Sequence, residues 1–386
     1  MENYKSADIR NVCLIGHSSD GKTSLAESML YLSKATDRLG KISDKNTVCD
    51  YDDEELKRGF SISASLALIE WKKKKINLLD TPGYLDFVGE VKQALRVAGS
   101  AVIVVDAKAG IEVGTELAWD YASHAELPRA FFINKCDDPE ARFSRVFHEL
   151  REQFGLSVCP VLIPILENDK IVGLLNLTNM EARLFDGSSE KVGEIPASFR
   201  EKAAEYRNMF LESIAETDEA LMEKFFAEEE MTKEEIDKAL HDGILSHSII
   251  PVLCGSATKL WGVSTALDII VDSFPSPVHR AAETVMDGDE KKLVDMKVDG
   301  EPSIFVYKTV SDPFVGKMSF FKVMSGTLKK DAMLKNLTTG QTEKIARIYC
   351  MRGKKQIEVD SLPCGDLGMT AKLANTNTND TLSALE

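Results

Sequence analysis

Long apolar runs are missing from this sequence. No stretch approaches the ~20 consecutive apolar residues of a membrane-spanning helix, and the N-terminal "MENYKSADIR" lacks the apolar core of a secretory signal. Paired cysteines are missing too: Cys13, Cys49, Cys136, Cys159, Cys254, Cys350 and Cys364 form no C-x-x-C and keep no histidine-rich company. That scatter predicts reduced thiols in a cytoplasm and argues against a disulfide framework or a zinc site. Histidine is scarce, at 6 residues, and His17 reads as a loop residue because no second His or Cys partners it as a metal ligand. Positive charge is in deficit, 47 Lys and Arg against 62 Asp and Glu for a net charge of −15. A chain so acidic is not a non-specific nucleic-acid binder, whose affinity comes from phosphate contacts, although a local basic patch could dock on a ribonucleoprotein. Internal repeats and low-complexity segments are absent as well.

What remains is an ordinary globular composition, 44% hydrophobic and 28% charged, in 386 residues, a length that predicts two or three domains. Over residues 8–155 short β-rich runs, "NVCLIG", "INLLD", "GSAVIVVDA" and "RAFFINKCD", alternate with helical stretches at 22–34, 86–98 and 113–126. Such alternation predicts an α/β domain with a mostly parallel sheet and helices on both faces, its ligand at the carboxyl ends of the strands. Residues 158–250 change style to turn-punctuated strands and three acidic helices, with starts expected at Pro196 and Thr232, the latter in a capping box with Glu235. The acidic helical faces read most simply as solvated. "IIPVLCGSA" then returns to the first style, so 158–250 reads as an α+β subdomain inserted before the last strand of a 1–277 domain. Residues 278–302 read as a polar linker, and 303–386 as a small antiparallel β-barrel. "WKKKK" at 71–75 reads as a solvated hairpin tip.

"GHSSDGKTS" at 16–24 fits G-x-x-x-x-G-K-[ST] between an apolar strand and a helix. In such a phosphate loop the backbone N–H groups of Gly16, His17, Ser18, Ser19, Asp20, Gly21, Lys22, Thr23 and Ser24 wrap a diphosphate, Lys22 neutralises β/γ oxygens, and the Thr23 hydroxyl ligates Mg²⁺. A second strand ends in "DTPGY": Asp80 is placed to hold Mg²⁺, and Gly83 to bring its amide to the γ-phosphate, stiffened by Pro82. "RGFSI" supplies Ser61, a hydroxyl able to reach Mg²⁺ as part of a switch loop. "NKCD" offers Asn134 to the base edge, Lys135 to cover the ring, and Asp137 to accept from guanine N1–H and its amine, which selects GTP over ATP. "GSA" closes the pocket with Ser256 and Ala257.

The ordered set "GHSSDGKTS", "RGFSI", "DTPGYLDFVGEV", "NKCD" and "GSA" resembles the translational GTPases, and the long gap from Asn134 to Ser256 narrows the resemblance to elongation factor G. "SDPFVGKMSFFKVMSGTLKKDAMLKN" and "CGDLG" resemble that factor's second domain, a β-barrel. The resemblance implies a monomeric, cytoplasmic bacterial GTPase using GTP, GDP and Mg²⁺. Its partner would be the ribosome, with the sarcin–ricin loop stimulating hydrolysis and the insertion touching the large-subunit stalk. It also implies three further domains, so that this chain would be the first two domains of a longer protein. Three positions depart from the family pattern: Tyr84 stands where a water-positioning His is usual, Phe60 and Ser61 replace the Ile-Thr of the switch, and the loop's Asp arrives one place late, as Asp20. Gly83, Tyr84 and Lys22 are then the candidate catalytic set, with Tyr84 orienting water. A GTP-dependent ribosome-binding regulator with little hydrolysis, and a tetracycline ribosomal-protection protein, are the alternatives.

Overall fold

The near-continuous apolar runs of the first half become strands buried on both faces, as a parallel sheet covered by helices requires. In the computed structural model, which describes residues 4–168, 170–186, 189–279, 282–287, 290–295 and 297–384, they are β1 (Ile9–Gly16), β2 (Ser65–Trp71), β3 (Lys74–Asp80), β4 (Ser100–Asp106) and β5 (Arg129–Asn134). The helices between them are α1 (Lys22–Leu32), α2 (Asp53–Arg58), α3 (Val88–Val97) and α4 (Val113–His124), followed by α5 (Phe143–Phe154).

β6 (Val158–Pro160) comes next, and after it a four-stranded antiparallel sheet of β7 (Leu162–Glu167), β8 (Lys170–Asn176), β9 (Glu181–Asp186) and β10 (Ser189–Gly193). Helices α6 (Arg200–Ala215), α7 (Glu219–Phe226) and α8 (Lys233–Leu245) follow, then β11 (Ile250–Cys254) and α9 (Val263–Ser273). The main sheet runs β2-β3-β1-β4-β5-β11-β6. All pairs from β3 to β6 are parallel, and only β2 is antiparallel to its neighbour. Because β6 pairs with β11 in this sheet, the segment that leaves it begins after Pro160, three residues into the stretch expected as an insertion. α8 opens on the expected Thr232–Glu235 capping box.

Within 278–302, expected as a linker, the described residues include two paired strands. β12 (Ala282–Asp287) and β13 (Glu290–Asp295) pair antiparallel as a hairpin; residues 280, 281, 288, 289 and 296 of that stretch lie outside the described residues. The antiparallel second domain comprises β14 (Ser303–Asp312), β15 (Gly316–Ser325), β16 (Thr327–Lys329), β17 (Ala332–Asn336) and β18 (Thr342–Ile345). It continues with β19 (Ile348–Arg352), β20 (Lys355–Val359), β21 (Ser361–Pro363), β22 (Leu367–Ala371) and β23 (Thr381–Ser383).

The two domains share structure. Arg352 of β19 pairs with Ala67 of β2, and the Gly353 N–H donates to the Leu66 carbonyl at 2.9 Å, so the sheet path crosses the boundary. Leu68 of β2 sits in the core of the second domain, while Tyr307, Phe320 and Met369 of the second domain join the core of the first. The lysine run at 71–75 is only partly a solvated tip. Lys72 and Lys73 make the turn with φ of 44° and 60°, but Lys75 is fully buried, its ammonium 2.7 Å from Asp366 and 3.2 Å from the Cys350 sulfur. Burial alone would lower its pKa, yet the Asp366 carboxylate holds it above the ordinary lysine value.

Candidate nucleotide site

β1 lies between β3 and β4, whose connections run in opposite directions, so the loop after β1 occupies the switch point where open α/β sheets place their ligands. Gly16, Asp80, Asp106 and Asn134, the last residues of β1, β3, β4 and β5, reach the same edge of the sheet. The loop needs its second glycine for shape: Gly21 caps α1 at φ 93°, and a side chain there would run into the Asn134 amide.

Lys22 is buried and donates to the Gly16 carbonyl at 3.1 Å and the His17 carbonyl at 2.6 Å. Burial lowers its pKa, opposed by the charges of Asp20, Asp80 and Asp50. The Thr23 hydroxyl lies 3.1 Å from that of Ser61, which donates to Asp50 at 2.7 Å. Asp80 is 1% exposed, and among the described residues neither carboxylate oxygen has a partner in full hydrogen-bond geometry, the nearby Thr23 hydroxyl only easing its charge. Burial and the neighbouring Asp50 push its pKa up to about 8. Asp20, 1% exposed with Oδ2 likewise unpartnered, is pushed to about 8 by burial, with Lys22 opposing and Glu112 adding to it. Asp80, with its open oxygens next to the Thr23 and Ser61 hydroxyls, gives a hard-oxygen donor set of the kind Mg²⁺ takes together with phosphate, while Asp20 sits apart beside Glu112, Asp106 and Lys135. Among the described residues no group of three or more His, Cys, Asp or Glu could hold a metal alone.

Gly83 packs directly on the phosphate loop; a Cβ there would lie 2.5 Å from the Lys22 ammonium and 2.6 Å from the Ser18 Cα. Tyr84 follows, 41% exposed, its ring centroid 4.5 Å from that of Phe60. Ser18, Ser19, Gly21 to Ser24, Asp50, Phe60, Ser61, Gly83, Tyr84 and Lys135 line a cavity of about 240 Å³. His17 turns the other way: its Nδ1 accepts the Gly114 N–H at 3.2 Å and its Nε2 lies 3.5 Å from Glu112.

Asn134 is drawn into tying loops together. Its Nδ2 donates to the Asp20 carbonyl at 2.8 Å and its Oδ1 accepts the Ala257 N–H at 3.0 Å. Ser28 reinforces the junction by donating to the Ala257 carbonyl at 2.6 Å, and buried Ser256 accepts the Lys259 N–H at 3.3 Å. Lys135, at φ 62°, pairs with Asp106 at 2.7 Å. Asp137 is half-buried and lines a neighbouring cleft with Cys136 and Trp261, outside the 240 Å³ cavity. Sequence reasoning passed over Asp50, Glu55 and Glu27, all buried. Glu55 accepts the Ile62 N–H at 3.0 Å and the Ser63 N–H at 3.1 Å, fixing the backbone just after Ser61. Its signal was available, since Asp52 and Glu55 have capping-box spacing and form that box at α2.

Residues 7–276 match the family described as elongation factor Tu GTP binding domain, and residues 301–385 match elongation factor G domain 2. The crystal structure of ttk003000868 from Thermus thermophilus superposes with a TM-score of 0.88 at 32% identity, over 98% of this chain and 55% of that one. This chain therefore spans about half the length of that protein. With two consecutive family matches, a superposition over almost its whole length, and the loops of a phosphate-binding α/β sheet at one edge, this chain belongs to the translational GTPases of the elongation factor G type.

Proposed function

We propose that this chain binds GTP and GDP with Mg²⁺ and converts GTP to GDP and phosphate as part of a monomeric, cytoplasmic factor that acts on the ribosome. The observation that carries the reading is the meeting of Lys22, the Thr23 and Ser61 hydroxyls and the open Asp80 carboxylate beside a glycine-bounded loop. The backbone of 16–24 holds the phosphates, and Lys22 exchanges the Gly16 and His17 carbonyls for β/γ oxygens. Thr23, Ser61 and Asp80 hold Mg²⁺, which when bound screens the phosphate charge. Gly83 offers its amide to the γ-phosphate, and Tyr84 orients the attacking water without taking its proton. Positioning and electrostatics of this kind supply most phosphoryl-transfer catalysis. Asn134 fixes the loops around the base, Lys135 covers the ring, Asp137 accepts from guanine, and Ser256 and Ala257 close the pocket. The sarcin–ricin loop would trigger hydrolysis, and the inserted helices would meet the large-subunit stalk.

Titration calorimetry with GDP and Mg²⁺ tests the site. Wild type should bind GDP and not ADP, and Asp137→Asn should move the preference to xanthosine diphosphate, because the amide presents a donor where xanthine presents a carbonyl. Equal binding of GDP and ADP by the wild type would overturn the assignment. A second reading, occupancy of the ribosome with little hydrolysis, is favoured by Tyr84 in place of an imidazole. Single-turnover hydrolysis with and without ribosomes separates the two.

A further inference from the structure

The second domain reaches into the nucleotide site's supporting structure through one side chain. Lys308 of β14 is 7% exposed. Its ammonium donates to Glu90 Oε2 at 2.7 Å and to the Ala64 carbonyl at 2.9 Å, while the Ala64 N–H donates to the same Glu90 oxygen at 2.7 Å. The three groups close a triangle. Ala64 follows Ser61 by three residues and leads into β2; Glu90 is in the first turn of α3, just after Tyr84. The strand is irregular at this point. Val306 is opposite Phe321 and Lys308 is opposite Phe320, so one extra residue, Tyr307, is accommodated between them. A bulge of this kind re-aims the side chains that follow it, and here both Tyr307 and Lys308 are buried against the nucleotide domain.

We infer that Lys308 is a positioning residue for the third phosphate: from the barrel it fastens the segment bearing Ser61 to the helix that follows Gly83 and Tyr84. It touches neither nucleotide nor cation. It acts through Ala64 and Glu90, and the inference rests on the proposed reading that Ser61 and Gly83 attend the γ-phosphate. In the described conformation Ser61 already lies against Thr23, so the triangle accompanies the ordered switch and its loss should weaken triphosphate binding selectively. The neutral Lys308→Gln leaves the phosphate loop and base loops untouched. It should leave GDP affinity unchanged and lower affinity for a non-hydrolysable GTP analogue by about fivefold or more, the lower end of couplings between linked sites. Lys308→Arg, which keeps the charge and donors, should restore the ratio.

The experiment measures GDP and GTP-analogue dissociation constants for wild type, Lys308→Gln, Lys308→Arg, Glu90→Gln and the Lys308→Gln/Glu90→Gln double variant, with Mg²⁺. A selective loss for the triphosphate in Lys308→Gln, with Glu90→Gln adding little in the double variant, supports the inference, since residues acting as one unit are non-additive. An unchanged ratio, or an equal loss for both nucleotides, overturns it. If Lys308→Gln does not fold, Glu90→Gln decides by the same ratio, and an unchanged ratio there overturns the inference. Failure of the wild type to bind either nucleotide would instead overturn the nucleotide-site reading itself.

Discussion

Tyr84 and Phe60 stand at two of the positions where the sequence departs from its family's pattern, and in the fold they are neighbours. Their ring centroids, 4.5 Å apart at an interplanar angle of 50°, fall in the range where aromatic pairs attract beyond simple burial. A sequence presents such changes as separate oddities; the contact makes them a matched pair. With Tyr84 41% exposed at the mouth of the cavity, packing alone leaves its hydroxyl unexplained. Phenol is a poor base at neutral pH but a competent donor and acceptor. Tyr84→Phe should therefore slow ribosome-stimulated single-turnover hydrolysis by about tenfold or more, with nucleotide affinity unchanged, since general acid–base and positioning groups contribute on that scale or above. Tyr84→His should retain or raise the rate. A Phe variant as fast as wild type would reduce Tyr84 to a packing residue.

The same site makes a pH prediction. Asp80 and Asp20 are pushed to about 8, and Asp50 to about 6, first of all by burial. Their folded-state values lie above the unfolded aspartate value of about 4, so the folded state binds more protons and stability falls as pH rises between those limits. Thermal unfolding with chelator and without nucleotide should show a midpoint that drops from pH 5 to pH 8, and a smaller drop for Asp80→Asn. A midpoint that climbs over that interval would contradict the burial of these carboxylates.

Among the elements, those with one dominant signal were legible. β1 and β4 are apolar-rich runs, α8 carries its capping box, and the phosphate loop has a fixed spacing, so over residues 8–155 the runs of β1, β3, β4 and β5 were legible in the sequence, while β2, "SLALIEW", was not among them. The elements that escaped have charged sequences. β12 and β13 read as linker because "AETVMD" and "EKKLVD" alternate weakly, although the sequence "DGDE" at 287–290 carries an Asp-Gly turn signal. α2, "DEELKR", looks like a solvated run, yet its Glu55 is 2% exposed and organises the backbone after Ser61. Asn134 was legible as a site residue but its partners were not, because Asp20 and Ala257 approach it only through the fold.

For the whole molecule, the boundary between domains is held by polar groups as much as by apolar ones. Asp366 accepts from Lys75 at 2.7 Å and Asn77 at 2.8 Å, and Asn11 links Asn77 at 2.9 Å to the Gly365 carbonyl at 2.7 Å. Nothing in "WKKKK" says that its last lysine is buried; that depends on a carboxylate 291 positions away. Breaking a buried pair by removing one partner costs about 3–5 kcal/mol, because the other charge is left without compensation. Asp366→Asn should lower unfolding stability by roughly that amount in a denaturant titration. Lys330→Ala, which loses a solvent-screened pair with Asp360 that is 52% and 84% exposed, should leave it nearly unchanged. Equal effects from the two would mean that the interface is wetter than the structure describes.

The crossing from β2 to β19 also has a consequence in time. A chain emerging from its own synthesis presents β2 long before Arg352 exists to pair with Ala67, and an uncovered edge strand is a template for pairing with the wrong chain. During that interval Lys75 on the adjoining strand still lacks Asp366, and a hydrated ammonium so close to the edge is the kind of charge that discourages such pairing. The lysine that later anchors the barrel would first have served as a guard on the half-made sheet.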